Sequence, residues 1–326
     1  MSIYLYKNGA WAKQNAYERQ NGQWVQVSNA EASAITLTKL STTLPGAGIF
    51  ADAITIGTKI WLFGSGGARP FDPDTYTLLD TSVPLSPTYS WRSLSAIGTK
   101  VYLFGGYNVV TGSYSESVST ISVFDTETGT MQDLSARLPT AAHYITSAAV
   151  GSKIYLFGGW HTPRQNYTDS YYCLNTINVF DTETNTITKL SVTLPMLANR
   201  MAAEAVGKKI YLFGGMQSSL TNYYNTIIVF DTETSTVQTL SATLPQAAYF
   251  IGSAAVEKKI YLFGGALDSQ STPINTINVF DTETNKIETL NETLPTATYG
   301  ISAAAMGSNI YLFGGGGLDT IIEVQT

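Results

Sequence analysis

The chain is poor in charge, cysteine and histidine. Only 13% of its 326 residues are Asp, Glu, Lys or Arg, about half the usual share, while 44% are hydrophobic. A disordered chain needs the opposite balance, so the composition excludes disorder. The single cysteine, Cys173, excludes a disulfide framework and any site with several cysteine ligands. Because there are only two histidines as well, we predict neither a bound metal nor a cofactor.

The sequence also lacks the features that direct a chain to nucleic acid, to a membrane or to secretion. Its net charge of −6 provides no basic surface for a phosphate backbone. No apolar run approaches the roughly 18 residues that a membrane-spanning helix needs. The first residues alternate aromatic and polar types and form no apolar core before a cleavage site. We therefore expect no nucleic-acid partner, no membrane insertion and no secretory signal.

One heptapeptide recurs along most of the chain. Lys-Ile-Tyr-Leu-Phe-Gly-Gly occurs three times, and close variants bring the total to six copies. The first glycines of successive copies are 41 to 56 residues apart. A period of roughly 50 residues is typical of a repeat architecture with four short strands in each unit. The copies are Lys59–Gly64, Lys100–Gly106, Lys153–Gly159, Lys209–Gly215, Lys259–Gly265 and Asn309–Gly315.

Every period divides into the same four predicted strands. In the third period they are Ile145–Val150, Ile154–Phe157, Thr176–Phe180 and Thr186–Leu190. These segments are rich in Ile, Val, Tyr, Phe and Thr and are bounded by Gly, Asp and Asn turns, which is typical of β-strands. No helical period competes with this interpretation. A four-stranded unit repeated six times predicts an all-β, six-bladed β-propeller.

The repeated residues resemble the kelch family. The matching features are the Gly-Gly doublet, a Tyr two residues after the turn lysine (Tyr155 after Lys153) and the Phe-Asp-x-Glu-Thr turn (Phe180–Thr184). The resemblance covers residues 35–326 and implies a propeller fold. Kelch blades usually carry a Trp at the entry to the fourth strand, so we expect aliphatic packing where this sequence differs. The residues at that place are Met131, Ile187, Val237 and Ile287.

The last repeat has no fourth strand of its own. Residues 319–324 match the third strand, whereas the sequence of a fourth strand occurs near the N-terminus: Ile35–Pro45 matches Ile187–Pro195. We therefore predict that residues 35–41 form the outer strand of the sixth blade. Both chain ends would then lie in one sheet, which removes an open edge. This divides the chain into residues 1–34 and a propeller of residues 35–326.

Residues 1–34 contain two hairpin signals 13 residues apart. Asn8-Gly9 precedes Trp11, and Asn21-Gly22 precedes Trp24. Asn-Gly between alternating residues is typical of a hairpin turn. The two interpretations are an edge that covers the propeller and a module for attachment or oligomerisation. The pattern resembles short segments in tail and fibre proteins of phages of Gram-positive bacteria, which implies contact with other virion proteins or with further copies of the chain.

Residues that differ between repeats mark the expected binding surface. Loops between second and third strands lie on the same face as the connections between blades, and both vary while the scaffold repeats. The fourth and fifth residues after each blade-ending proline vary most, and we expect half of them to ring the mouth of the central channel. These candidates are Trp91, Arg92, His143, Tyr144, Asn199, Arg200, Tyr249, Phe250 and Tyr299. The variable loops add Trp160, His161, Arg164 and Tyr223.

Aromatic rings beside Asn, Tyr and Arg donors favour a sugar ligand. The CH face of a sugar stacks on an aromatic ring while its hydroxyls form hydrogen bonds. Arg92 and Arg200 suit the carboxylate of an acidic sugar, because a guanidinium binds one bidentately. The sequence therefore predicts a non-catalytic module that binds a surface glycan or receptor. The phage resemblance implies a virion protein, and an extracellular or cell-surface bacterial lectin is the alternative.

An enzyme of carbohydrate chemistry is the second function class. Some kelch-like propellers are sialic-acid epimerases or copper radical oxidases, but an oxidase needs more copper ligands than this chain offers. An epimerase or lyase needs a positioned acid or base. Glu204 is the candidate because it interrupts the alanines of an inner strand, where a lone carboxylate has a perturbed pKa. We expect Arg200, four residues earlier on the same strand face, to pair with Glu204 instead.

Overall fold

The computed structural model describes two groups of residues. Every regular element in them is a β-strand, and none of the described segments contains a helix able to cross a bilayer. The contacts divide the chain into two units, Met1–Ile35 and Thr36–Thr326. The first group is the backbone of residues 3–7, 10–14, 16–20 and 23–27. The second is residues 35–46, 52–64, 67–79, 83–85, 90–109, 115–163, 171–217 and 222–326.

The first unit contains two antiparallel hairpins with the same register. Ile3 lies opposite Gln14 in one hairpin, and Ala16 lies opposite Val27 in the other, 13 residues further along. The 13-residue repeat of the sequence is therefore also a repeat of backbone pairing. Both predicted Asn-Gly turns lie outside the described residues. The paired strands are β1 (Ile3–Lys7) with β2 (Ala10–Gln14), and β3 (Ala16–Gln20) with β4 (Gln23–Val27).

The second unit consists of six four-stranded antiparallel sheets, the predicted blades 1 to 6. The strand that precedes them all is β5 (Thr36–Thr43). Blades 1 to 3, innermost strand first, are β6 (Asp52–Ile56), β7 (Lys59–Gly64), β8 (Gly67–Asp72) and β9 (Thr77–Leu78); β10 (Ser93–Ile97), β11 (Lys100–Phe104), β14 (Thr120–Asp125) and β15 (Thr130–Arg137); and β16 (Thr146–Val150), β17 (Lys153–Phe157), β20 (Thr176–Asp181) and β21 (Thr186–Thr193). We call the face that carries the loops between second and third strands the loop face. Two small hairpins lie on it: β12 (Tyr107–Val109) with β13 (Ser115–Ser117), and β18 (Trp160–His161) with β19 (Tyr172–Cys173).

Blades 4 to 6 follow the same order, and the last one confirms the predicted closure. Its sheet order is β30-β31-β32-β5, with Thr36 opposite Gln325 and Thr43 opposite Thr320. The closing strand begins at Thr36 and ends at Thr43, one residue after the predicted start and two residues beyond the predicted end of 35–41. Innermost strands of neighbouring blades touch around the whole ring, including blade 6 with blade 1. The strands are β22 (Ala202–Val206), β23 (Lys209–Phe213), β24 (Thr226–Asp231) and β25 (Thr236–Thr243); β26 (Gly252–Val256), β27 (Lys259–Phe263), β28 (Ile274–Asp281) and β29 (Lys286–Thr298); and β30 (Ser302–Met306), β31 (Asn309–Phe313) and β32 (Thr320–Gln325).

A repeated aromatic contact joins neighbouring blades. Phe280 of blade 5 is fully buried, and its ring centroid lies 5.5 Å from those of Tyr211 and Phe213 in blade 4. Burial of such a ring stabilises the fold by about 2–3 kcal/mol. Aliphatic residues such as Ile287 pack beside these rings where kelch blades usually have Trp. The equivalent buried residues of blades 1 to 4 are Phe71, Phe124, Phe180 and Phe230.

The Asp-Thr-Glu-Thr turns are stabilised by their own aspartates. Oδ1 of Asp181 accepts the backbone N–H groups of Glu183 at 3.0 Å and Thr184 at 3.1 Å. Both hydrogen bonds lower the pKa of Asp181, and the one from the backbone N–H of Thr184 has the larger effect. The turns join third to fourth strands, so they lie on the face opposite the variable loops. Blades 2 to 5 repeat the same Asp-Thr-Glu-Thr turn on this face, whereas the loops of the other face differ in length and sequence from blade to blade.

Candidate functional site

The six innermost strands surround a central channel. They carry small residues along it, such as Ala148, Ala254 and Ala304, which let the strands approach the axis. The channel contains a cavity of about 290 Å³ at the loop face and one of about 350 Å³ below it. Side chains from the inter-blade connections line the upper cavity. A ligand on the loop face therefore meets the residues that vary between blades.

Among the described residues, one residue from each connection of blades 2 to 6 forms a hydrogen-bonded belt along the mouth. Each lies two positions before an inner strand, and their φ angles are all positive, between 52° and 62°. Each backbone N–H after the first donates to the carbonyl of the preceding blade, at 2.8 to 3.3 Å. Such a conformation costs a non-glycine residue about 1–3 kcal/mol, and strain of this kind clusters at functional sites. The belt residues are Trp91, Tyr144, Arg200, Phe250 and Gly300.

The side chains of the belt present aromatic rings to the mouth. The rings of Trp91 and Tyr144 stack at 4.8 Å, and Tyr144 meets Phe250 edge-on at 5.5 Å. Phe250 in turn stacks on Tyr299 at 6.2 Å. The guanidinium carbon of Arg200 lies 3.9 Å from the centroid of Tyr144 and 4.9 Å from that of Phe250, a cation–π arrangement. We call these five half-buried residues the aromatic mouth.

The predicted pairing of Arg200 with Glu204 is wrong. Among the described residues no carboxylate oxygen lies within 4 Å of the Arg200 guanidinium, whose Nη1 donates to the sulfur of Met216 at 3.0 Å. Glu204 instead accepts the hydroxyl of Ser253 at 2.7 Å. The cause is the left-handed backbone at Arg200, which breaks the two-residue period of the strand before Ala202 begins it.

The predicted alignment of blade 2 is wrong by one residue. Counting from the proline aligned Trp91 with His143. The positive φ of Trp91 and its place two residues before the inner strand β10 align it with Tyr144 instead. Arg92 consequently lies directly before the inner strand β10, and its side chain is buried in blade 2.

Arg92 is therefore a structural residue of blade 2. It is 9% exposed, and its Nη2 donates to the carbonyl of Leu103 at 3.1 Å and the hydroxyl of Ser122 at 2.7 Å. The hydroxyl of Ser122 donates in turn to Asp133. Since its guanidinium is engaged by the blade, Arg92 is not available as the predicted carboxylate clamp.

His143 supports the aromatic mouth from below. It is 4% exposed, lies 4.7 Å from the Tyr144 ring and hydrogen-bonds through Nδ1 to the hydroxyl of Ser117 at 2.9 Å. Burial, and secondarily the charge of Arg200, lower the pKa of His143 to about 3. The imidazole is therefore neutral, and its role is to hold the Tyr144 ring in place.

Asn199 and Tyr249 are also buried supports, not surface residues. Nδ2 of Asn199 donates to the carbonyl of Met216 at 3.1 Å and lies 2.9 Å from the sulfur of Cys173. The hydroxyl of Tyr249 donates to the carbonyl of Asp268 at 2.8 Å. In blades 3 to 5 the fourth residue after the proline thus points into the blade, and the fifth residue lies at the mouth. The sequence predicted that half of the candidates ring the mouth, but not which half.

The variable loops form a wall beside the mouth. Tyr223 stacks on Tyr249 at 5.5 Å, and Trp160 donates from Nε1 to Thr162 at 3.1 Å. The Nδ1 atom of His161 hydrogen-bonds to the carbonyl of Ala141 at 2.7 Å, away from the belt. Arg164 lies outside the described residues. The wall extends over blades 2 to 5, because blade 5 also carries a bridged loop.

Among the described residues, the carboxylates of Glu204 and Asp52 line the channel. Burial raises the pKa of Glu204, midway along it, to about 7, against the opposing hydrogen bonds of Ser253 and Ala255. Asp52 lies at the mouth, where part of its surface is exposed to solvent. Desolvation of its carboxylate by the surrounding protein raises the pKa of Asp52 to about 7 as well. Sequence analysis missed Asp52, although the other inner strands begin with Ser, Thr, Ala or Gly. The described segments hold no group of three or more His, Cys, Asp or Glu arranged to bind a metal.

Comparisons with known proteins match the repeats. The family model described as the KLHDC2/KLHL20/DRC7 Kelch-repeats domain matches residues 144–323, more than half of the chain, and the Kelch motif model matches residues 92–130. The chain is also similar to the Rho GTPase-activating protein gacHH of Dictyostelium discoideum, with 31% identity over 149 residues. That match covers 43% of this chain but 9% of the relative, so the chain spans a small part of that protein.

Proposed function

This chain belongs to the kelch-repeat family of β-propellers, and from that premise we propose that it is a non-catalytic binding module. Its ligand lies on the aromatic mouth. The observation that carries this proposal is the belt, which holds Trp91, Tyr144, Arg200 and Phe250 in a strained backbone conformation around one cavity. Packing alone favours the same residue type in every blade, as the buried phenylalanines illustrate. The belt residues all differ, as expected of a binding surface.

The ligand that suits this surface is a glycan that carries an acidic group. Half-buried rings of Trp91 and Tyr144 offer faces on which sugar CH groups stack. Arg200 lies beside them, and none of the described carboxylates pairs with it. A guanidinium without a carboxylate partner in the protein favours binding of a ligand that supplies one, since charge-assisted hydrogen bonds are about twice as strong as neutral ones.

The proposed setting is the tail or fibre of a phage that attaches to a bacterial surface carbohydrate. The two hairpins of Met1–Ile35 support a separate attachment module, because isolated two-stranded hairpins are marginally stable and gain from a partner. The partner in this proposal is another virion protein or a second copy of the chain. A lectin on a bacterial surface would use the same mouth, and gene neighbours that encode tail or lysis proteins distinguish the two settings.

Loss of binding in mouth variants tests the glycan proposal. We expect the purified protein to bind acidic glycans on an array, and Trp91→Ala or Arg200→Ala to weaken binding at least tenfold, about 1.4 kcal/mol. The matched control is Arg137→Ala, which removes an exposed arginine from the outer strand β15. Thermal melting verifies that each variant is folded. A folded wild-type protein that binds no glycan, or mouth variants that bind as it does, would contradict the proposal.

Glu204 supports a second candidate, a carbohydrate-active enzyme of the epimerase or lyase type. A pKa of about 7 suits a general acid or base at neutral pH, and the carboxylate faces the lower cavity. We expect such an enzyme to convert sialic-acid anomers or cleave a polyuronate, as followed by NMR, and Glu204→Gln to abolish turnover. No turnover by the wild-type protein would eliminate this candidate.

A further inference from the structure

The aromatic mouth has a gap at blade 6. The belt position that carries Trp91, Tyr144, Arg200 and Phe250 in blades 2 to 5 is Gly300 in blade 6, with a φ of 62°. The backbone of Gly300 continues the belt, because its N–H donates to the carbonyl of Phe250 at 2.8 Å. At its belt position blade 6 therefore contributes backbone but no side chain, and its one ring at the mouth is that of the preceding residue, Tyr299.

The outer rim is low at the same blade. Blades 2 and 3 carry the hairpins β12–β13 and β18–β19, and blades 4 and 5 carry bridged loops. Blade 6 has only a short connection that begins with four glycines, residues 314–317. The N–H of Gly316 donates to the carbonyl of Tyr299 at 2.9 Å, which holds this connection beside the mouth. Gly316 and Gly317 are exposed, and no atom lies within 4 Å of a Cβ placed at Gly317.

We infer that the ligand is a linear glycan chain longer than the mouth, which leaves the mouth over Gly300 and the glycine connection of blade 6. This inference rests on the proposed glycan function. The upper cavity of about 290 Å³ lies at the lower end of the usual range for ligand pockets, roughly 300–1,000 Å³, so it accommodates only part of a long chain. Walls on blades 2 to 5 obstruct the remaining sugar units on those sides, and among the described belt positions that of Gly300 leaves them a path.

Tyr299 is the side chain that the leaving chain meets. It is half-buried, flanks Gly300 and stacks on Phe250 at 6.2 Å. Its ring continues the aromatic surface from blade 5 towards blade 6. We therefore assign Tyr299, the mouth residue that flanks the gap, to a subsite for the sugar units that leave the mouth, where stacking adds affinity for a longer chain.

The fold itself supplies the design of a variant that closes the gap. Tyr144 and Phe250 occupy the equivalent belt positions with φ angles of 52° and 54°, so the belt accommodates an aromatic residue in this backbone conformation. Gly300→Tyr places such a ring in the gap. Gly300→Ala is the matched control, because it carries the same penalty for a Cβ at positive φ but leaves the gap open.

The test measures whether the gain in affinity with glycan chain length depends on the open gap. Disaccharides and hexasaccharides of the same acidic repeating unit, oligogalacturonate and oligo-sialate, are titrated by calorimetry against the wild-type protein and both variants. We expect the wild-type protein and Gly300→Ala to bind the hexasaccharide of the recognised series at least tenfold more tightly than the disaccharide. Gly300→Tyr is expected to lose that gain with chain length. Tyr299→Ala, which leaves the belt unchanged, is expected to reduce the gain by several-fold.

The outcomes separate this inference from the function on which it rests. A wild-type protein that binds neither series overturns the glycan proposal and the inference together. Equal affinity for disaccharide and hexasaccharide overturns only the inference, as does a Gly300→Tyr protein that retains the full gain with length. If Gly300→Tyr does not fold, as judged by thermal melting, the length dependence of the wild-type protein and of Tyr299→Ala decides the question.

Discussion

Removal of residues 1–43 is expected to leave an insoluble or unfolded chain. These residues include β5, the outer strand of blade 6, which pairs with β32 along its length. Without it the buried β32 side chains Ile321 and Val324 lose their cover, and the edge of β32 exposes unpaired backbone groups. An open edge of this kind is a template for aggregation. Buried Leu40 is also lost from the cluster between blades 6 and 1.

The matched control is the removal of residues 1–34, which eliminates both hairpins and retains β5. We expect that chain to be soluble and to melt in one cooperative transition, because the ring of six blades stays closed. Expression, size-exclusion chromatography and thermal melting by circular dichroism compare the two truncations. If the chain that lacks β5 is soluble and melts as cooperatively as the control, closure by β5 is not what stabilises the propeller.

Glu204→Gln is expected to stabilise the protein at pH 8 and to have little effect at pH 5. The pKa of Glu204 is about 7 in the folded protein, above its ordinary value of 4.5. Between these values the folded state retains a proton that the unfolded state releases, so this group lowers stability as the pH rises. Each unit of pKa difference corresponds to about 1.4 kcal/mol. After an allowance for solvent in the channel, we expect a gain of about 2 kcal/mol at pH 8.

Chemical denaturation at both pH values measures this effect. The amide oxygen of the variant still accepts the hydrogen bond of Ser253, so packing changes little. Glu183→Gln, which removes a carboxylate from an exposed turn on the opposite face, is the matched control. A Glu204→Gln protein whose stability relative to wild type is the same at pH 5 and pH 8 would show that the carboxylate is not strained by burial.

The blade scaffold was predictable because its physical causes repeat. The heptapeptide and its turn recur in register, so each copy places a buried Phe and a capped Asp at the same point of the blade. Closure was predictable because Ile35–Pro45 repeats the sequence of a fourth strand. These features are local, and each copy of the repeat supports the interpretation of the others.

The site was less predictable because it depends on backbone conformations without a sequence signature. Trp91, Tyr144, Arg200 and Phe250 are not residues that favour a positive φ, and only Gly300 suggests one. The left-handed belt turned Arg200 away from Glu204. A connection of different length moved Arg92 into the blade. Such outcomes depend on contacts between blades, which no single repeat encodes.

A crystal structure of the protein with its best array glycan tests the central claim most directly. We predict sugar density in the upper cavity, with one ring stacked on Trp91 or Tyr144 and an acidic group bound by Arg200. Density on the outer strands or on the opposite face, with an empty mouth, would contradict the account.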